Sequence, residues 1–179
     1  MSTLGKMLLF CFFLYLSTAA STSSSLKNKI LPGESSNSID DLDPSFKRKV
    51  LALIKKMESK DYRVKISQTY RSQERQEFVY DFYKEASEII GFDVRRTSTK
   101  HSKHSRVAAS LPASCAIDLR PVFTYSIEEK AIFYRTLRDE SVKMGMRSGA
   151  NFEKRKSSPY YKYNLGYDPG HVEISCPQI

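Results

Sequence analysis

Between Phe46 and Met57 the apolar positions Phe46, Val50, Leu51, Leu53, Ile54 and Met57 recur at helical spacing. Ser45 stands where a cap belongs. The period then changes. Tyr62-Arg-Val-Lys-Ile66 alternates, which predicts a strand. Ser72-Gln-Glu-Arg-Gln76 opens a second helix, with Phe78, Val79, Phe82, Tyr83, Ala86, Ile89 and Ile90 expected as its buried stripe and Gly91 as its end. Residues 93–114 are basic, rich in Ser and Thr and without a period, so a loop is expected. Ala116–Leu119 reads as a short strand stopped by Pro121. Ser126-Ile-Glu-Glu129 matches a capping box. It starts a third helix, with core contacts expected at Ala131, Ile132, Tyr134, Leu137, Val142 and Met144. A polar, tyrosine-rich loop over 147–167 leads to a last strand, Gly170–Ser175. Helices and short strands in this order predict an α+β fold: a small antiparallel sheet with packed helices.

The first 44 residues follow other patterns. Lys6 precedes the apolar run Met7–Leu16, and Ser17-Thr-Ala-Ala20 supplies small residues after it. A basic residue, a short apolar run and a small-residue exit describe a secretory signal peptide over 1–20. The run is shorter than the roughly 20 residues that span a bilayer; a retained anchor is the weaker alternative. Residues 21–44 are Ser-rich with no apolar period and read as a linker, leaving 45–179 as the single domain. The expected localisation is secreted or periplasmic.

Composition adds a partner class. The chain has 179 residues, 40% of them apolar, and a formal charge of +9. That length suits one core. The charge favours anionic partners such as cell-wall polymers. Arg95, Arg96, Lys100, Lys103 and Arg106 form one basic run and Lys154-Arg-Lys156 another. Aromatic interleaving is poor and no nucleic-acid motif is present, so no nucleic-acid partner is expected. A monomer is expected.

The chemistry lies in the histidines. The chain has only 3: His101 and His104 share one short stretch, and His171 sits in Asp168-Pro-Gly-His171-Val-Glu173. Two imidazoles and a carboxylate form a catalytic zinc set with one position left open. If Asp118 and His171 lie on paired antiparallel strands and face the same way, one ion can touch both. Asp168, three residues before His171, is placed to act as general base and then to protonate a leaving amine. Cys115 and Cys176 lie at odd offsets from Asp118 and His171, so both thiols are expected on the far face of the sheet. There they either pair as a disulfide or remain free.

Several segments together resemble the zinc DD-carboxypeptidase and L-alanyl-D-glutamate endopeptidase family, the endolysin-type peptidoglycan peptidases. Thr69-Tyr-Arg-Ser-Gln-Glu-Arg-Gln76 is similar to its early Tyr-Arg stretch. Ser102-Lys-His104 and Ala116-Ile-Asp118 are similar to the halves of its Ser-x-His…Ala-x-Asp signature, and Asp168-Pro-Gly-His171-Val-Glu173 to its closing Asp-x-x-His-x-Glu. The resemblance runs from about Lys49 to Ser175. It implies a hedgehog/DD-peptidase-like fold, with Zn2+ held by His104, Asp118 and His171 and Asp168 as catalytic base. Arg71 would stabilise an oxyanion or hold a substrate carboxylate, with Ser102 and Gln76 supporting the site. It also selects His104 over His101, because Ser-x-His fits the pattern. The implied substrate is the peptide stem of peptidoglycan, cut as by an L-alanyl-D-glutamate endopeptidase. The alternatives are a D-Ala-D-Ala carboxypeptidase and a non-catalytic zinc-containing wall-binding module.

The chain departs from that pattern in three places. His104 and Asp118 are fourteen residues apart, about twice the usual separation, and Val107–Leu111 reads as an inserted loop. Met146–Phe152 lacks the Trp, one Gly and the Asp of the corresponding family segment. Pro159–Tyr163 has no counterpart; lining a sugar groove, packing and a plain surface loop are its open readings.

Overall fold

A computed structural model describes residues 33–91, 100–123 and 126–176. The expected signal peptide and the first part of the expected linker lie outside the described residues, as do residues 92–99, with Arg95 and Arg96 of the basic run. The fold begins earlier than residue 45. Strand β1 (Ser35–Ser36) pairs with β3 (Tyr70–Arg71), and Leu42 is buried in the core.

Helix α1 (Pro44–Glu58) is capped by Asp43 rather than Ser45. The Asp43 carboxylate accepts from the backbone N–H groups of Ser45 and Phe46, and Pro44 occupies the first turn. A proline there loses no helical hydrogen bond, so the cap falls before it. Phe46, Val50, Leu53 and Met57 are buried, while Leu51 faces solvent. Helix α2 (Gln73–Ile90) starts at the Ser72 cap and stops at Gly91, whose φ of 77° is left-handed. Of its expected buried stripe, Phe78, Phe82 and Ile89 are exposed and Val79, Tyr83 and Ala86 are only partly buried, while the Ile90 side chain lies outside the description. The period was helical, but the sheet does not lie beneath it. Helix α3 (Ile127–Lys143) carries the expected capping box. Ser126 Oγ accepts from Glu129 N at 3.1 Å, and the Glu129 carboxylate accepts from Ser126 N at 2.8 Å. Its core residues are Ala131, Phe133, Tyr134 and Leu137; Ile132 and Val142, expected inside, are exposed.

Strands β2 (Val64–Gln68), β6 (Ala116–Pro121), β8 (His171–Glu173) and β7 (Arg147–Ser148) form a four-stranded antiparallel sheet in the order β2-β6-β8-β7. The fold class is α+β, as the patterning predicts. Side chains alternate across the sheet. Ile117, Leu119 and Val172 join the α1 and α3 stripes in one buried cluster. Ala116, Asp118 and Arg120 take the other face, with His171 and Glu173 beside them.

The expected insertion is a hairpin. Strands β4 (Val107–Ala108) and β5 (Leu111–Pro112) pair across Ala109 and Ser110, both at positive φ (48° and 63°), as a tight two-residue turn requires. Its base closes through Ala113 N–H donating to Arg106 O at 3.0 Å. Among the described residues, no helix is long and apolar enough to cross a membrane.

Candidate metal and catalytic site

β6 and β8 set Asp118 directly opposite His171. His104 arrives from a short 3-10 turn, Lys103–Ser105, capped by Ser102 Oγ accepting from His104 N at 3.2 Å. That turn is tied to the sheet by Cys115 N–H donating to Lys103 O at 3.0 Å. Three donor atoms meet there. Asp118 Oδ1 lies 3.0 Å from His171 Nδ1 and 3.3 Å from His104 Nε2, and the two ring nitrogens are 3.3 Å apart. Both imidazoles are nearly buried, 4% and 8% exposed.

This triangle fits a divalent ion. Ligand atoms at about 2.0–2.1 Å in a tetrahedron are separated by about 3.3 Å. The nitrogens turned inward are the ones free to bind. His104 Nδ1 donates to Thr69 O at 2.8 Å, leaving Nε2 with its lone pair. His171 Nε2 donates to Glu173 Oε2 at 3.1 Å, leaving Nδ1. Outer partners that fix the tautomer in this way are typical of metal-binding histidines.

Glu173 is anchored in turn by Lys103 Nζ at 3.0 Å and Arg147 at 2.9 Å. Burial pushes its carboxyl up, but the hydrogen bonds from His171 and Lys103 outweigh burial and bring it down to about 2. Burial pushes the Asp118 carboxyl up as well; the charge and hydrogen bonds of His104 and His171 overcome it and hold Asp118 well below the ordinary carboxylate range. For His171, burial favours the neutral ring. Its hydrogen bonds to Asp118 and Glu173, with the charges of Asp118 and Asp168, prevail and raise it to about 10.

Asp168 opens the turn that ends at His171, its carbonyl accepting from His171 N at 3.1 Å. Desolvation first, then the nearby Asp118 charge, raise its carboxyl to about 6. Arg71 donates to Gln76 Oε1 at 2.7 Å and to Gln68 Oε1, so the fork is fixed by two amides. Arg71, His104, Asp118, Asp168 and His171 all line one cavity of about 630 Å³. Gly149 makes room behind them: a Cβ there would lie 2.0 Å from Asp168 O and 2.8 Å from His171 Cβ.

The five residues singled out from sequence thus converge. His101 lines the same cavity, but it lies outside the triangle and contacts Gln73, 3.4 Å from its Nδ1. The sequence assigned no part in orienting the ligands to Glu173, Lys103, Arg147 or the Thr69 carbonyl. A usable signal existed for Glu173, because on a strand a residue two beyond His171 faces the same way. Both thiols are free. Cys115 joins the core cluster on the face away from the metal triangle, with Cys176 packed against it. Burial and the neighbouring Cys176 push the Cys115 thiol up to about 12. In the tyrosine-rich loop, Tyr160 packs on Tyr134 with rings 5.2 Å apart, while Tyr161 is exposed.

No family model matches the chain, and no curated protein matches it. Several solved structures do. The Serratia marcescens L-Ala D-Glu endopeptidase ChiX aligns over 76% of this chain and 83% of its own, at 15% identity and a TM-score of 0.45. VanYB in complex with D-Alanine-D-Alanine aligns over 80% and 78%, at 15% identity and a TM-score of 0.49. A mutant of the vancomycin resistance D,D-pentapeptidase VanY from a VanB-type resistance cassette, in complex with Zn(II), aligns over 81% and 80%, at 15% identity and 0.47.

Proposed function

We propose that this chain is an exported zinc peptidase that hydrolyses an amide bond in the peptide stem of peptidoglycan. The observation that carries the reading is the 3.0–3.3 Å triangle of His104, Asp118 and His171 beside the raised carboxyl of Asp168. A structural zinc site is closed by a fourth protein ligand; a three-ligand set opening on a cavity suits catalysis. When bound, zinc supplies a Lewis acid that polarises the amide carbonyl and makes water acidic enough to attack.

The chain's own groups do the rest. Asp168 takes the proton from the attacking water and delivers it to the leaving amine nitrogen. A carboxyl near 6 is ionised at neutral pH yet basic enough for that transfer. Arg71, held by Gln68 and Gln76, offers its fork to the charge that develops on the carbonyl oxygen.

The stem peptide as substrate, and export through residues 1–20, rest on the sequence motifs. Endopeptidase action is favoured over carboxypeptidase action by the shape of the cleft. A second cavity of about 560 Å³ shares Asp118, Tyr167 and Asp168 with the first. Open space that continues past Asp118 and Asp168 suits a substrate extending beyond the scissile bond.

The test is mass analysis of products from defined stem peptides, with zinc, with a chelator, and with Asp168→Asn. Zinc-dependent release of one new amino terminus is expected, with a loss of at least about 100-fold in kcat/KM for Asp168→Asn while zinc stays bound. Zinc-loaded protein that releases nothing would leave the wall-binding reading in its place.

A further inference from the structure

The back of the sheet carries two groups that the reaction outlined above does not use. Cys115 is wholly buried and Cys176 half-buried, and Cys176 packs against the cluster that holds Cys115. The ladder explains their meeting. The register that sets Asp118 opposite His171 and Ala116 opposite Glu173 continues one step further, where Ile174 N–H donates to Cys115 O at 3.0 Å. Cys176 lies two residues beyond Ile174, so it returns to the face of Cys115 as its diagonal neighbour. The two thiols share a hydrogen bond. In sequence they are about 60 residues apart. The strand they border is weakly held. β8 is three residues long, carries both His171 and Glu173, and meets β7 only through Val172 and Glu173. A strand so short opens at low cost. Cys115 is also where the third ligand is tied in, because its N–H donates to the Lys103 carbonyl in the turn of His104 at 3.0 Å.

We propose that Cys115 and Cys176 are a cross-linking site, whose intramolecular disulfide fastens β8 to β6 behind the metal triangle. The oxidant is a low-molecular-weight disulfide of the kind an oxidising compartment maintains. Cys176, the more accessible thiol, gives up its proton and attacks one sulfur of the oxidant. The other sulfur leaves as a thiolate and takes that proton. Cys115 then gives up its proton and attacks Cys176 Sγ in the mixed disulfide, and the second thiolate of the oxidant leaves and is protonated. Two protein thiols are oxidised to one S–S bond, and one small disulfide is reduced to two small thiols. The export reading bears on the compartment alone. The geometry stands without the peptidase reading, and the test supplies its own oxidant.

The experiment uses the full zinc-loaded chain. It is equilibrated with about 1 mM each of oxidised and reduced glutathione, alkylated, and mapped by mass spectrometry without reduction. A peptide pair joined through Cys115 and Cys176 is expected, in a monomer, with Cys11 outside the cross-link. The oxidised chain should melt about 5–15 °C above the phosphine-reduced chain. Amide exchange in β8 should slow about ten-fold or more on oxidation. Cys176→Ser, at a half-buried position, should show neither change. Thiols capped singly by glutathione, disulfides between chains, or a Cys115–Cys176 bond that leaves melting and β8 exchange unaltered overturns the proposal. The expected cross-link in a chain that cleaves no stem peptide upholds the proposal and counts against the peptidase reading alone. Cleavage by a chain whose two thiols stay reduced in this buffer does the reverse.

Discussion

Glu173 follows His171 by two residues on β8 and accepts a hydrogen bond from its Nε2 at 3.1 Å. The pleat of a single strand therefore supplies both a metal-facing ring and the carboxylate that orients it. Glu173→Gln keeps the shape and removes the charge. Zinc affinity should drop about 10- to 100-fold, read by competition against a chelator, with an unchanged far-UV spectrum. Affinity within two-fold of the parent would deny Glu173 that orienting role.

Zinc uptake should expel a proton. In the metal-free protein His171 holds its proton up to about 10, because Asp118 and Glu173 favour the imidazolium over the burial that opposes it. The metal needs the deprotonated Nδ1. At pH 7 binding must displace that proton, so apparent affinity rises with pH and levels off only near 10. Calorimetry in buffers of different ionisation enthalpy measures the count; near pH 7 a value close to zero contradicts the linkage.

The hairpin between His104 and Asp118 should be dispensable for metal binding. Its base is closed by the Arg106–Ala113 hydrogen bond at 3.0 Å, and the turn carrying His104 is tied to β6 independently of it. Replacing Val107–Pro112 by Asn-Gly, which forms the same class of two-residue turn, should leave zinc affinity within about two-fold, since closure cost depends weakly on length. A loss of ten-fold or more would mean that the hairpin itself positions a ligand.

Gly149 should not tolerate a side chain. An added Cβ meets backbone at 2.0 Å and the root of His171 at 2.8 Å. Gly149→Ala is expected to cost about 2–3 kcal/mol, a fall of roughly 5–10 °C in melting temperature for a chain of this size, together with weaker zinc binding. An unchanged melt would show that the Asp168–His171 turn yields.

The donors were legible in the sequence because their types are rare and their spacing is local: the parity of Asp118 and His171 on short strands placed both imidazole and carboxylate on one face and both thiols on the other. Periodicity marks each of the three α-helices among the described residues. It failed on which apolar residues are covered. Phe78, Phe82 and Ile89 keep helical spacing yet stay exposed, since a stripe records a face and not what lies under it. The cap is Asp43 and not Ser45 because Pro44, which lacks an N–H, fits the first helical position and shifts the start of the helix by two residues. Lys103 and Arg147 could not be tied to Glu173 from sequence. Those ion pairs join β8 to the turn holding His104 and to β7, across separations that only the assembled sheet closes.

The pair Ile117–Val172 lies immediately beside the pair Asp118–His171, facing the opposite way. A slip of one residue between these strands would turn Val172 out to water and drive an imidazole into the hydrocarbon interior. Misaligned chains are therefore rejected by the same force that builds the interior. A molecule that has completed its core has also brought two of its three donors into line, so metal capture needs no later rearrangement of these strands.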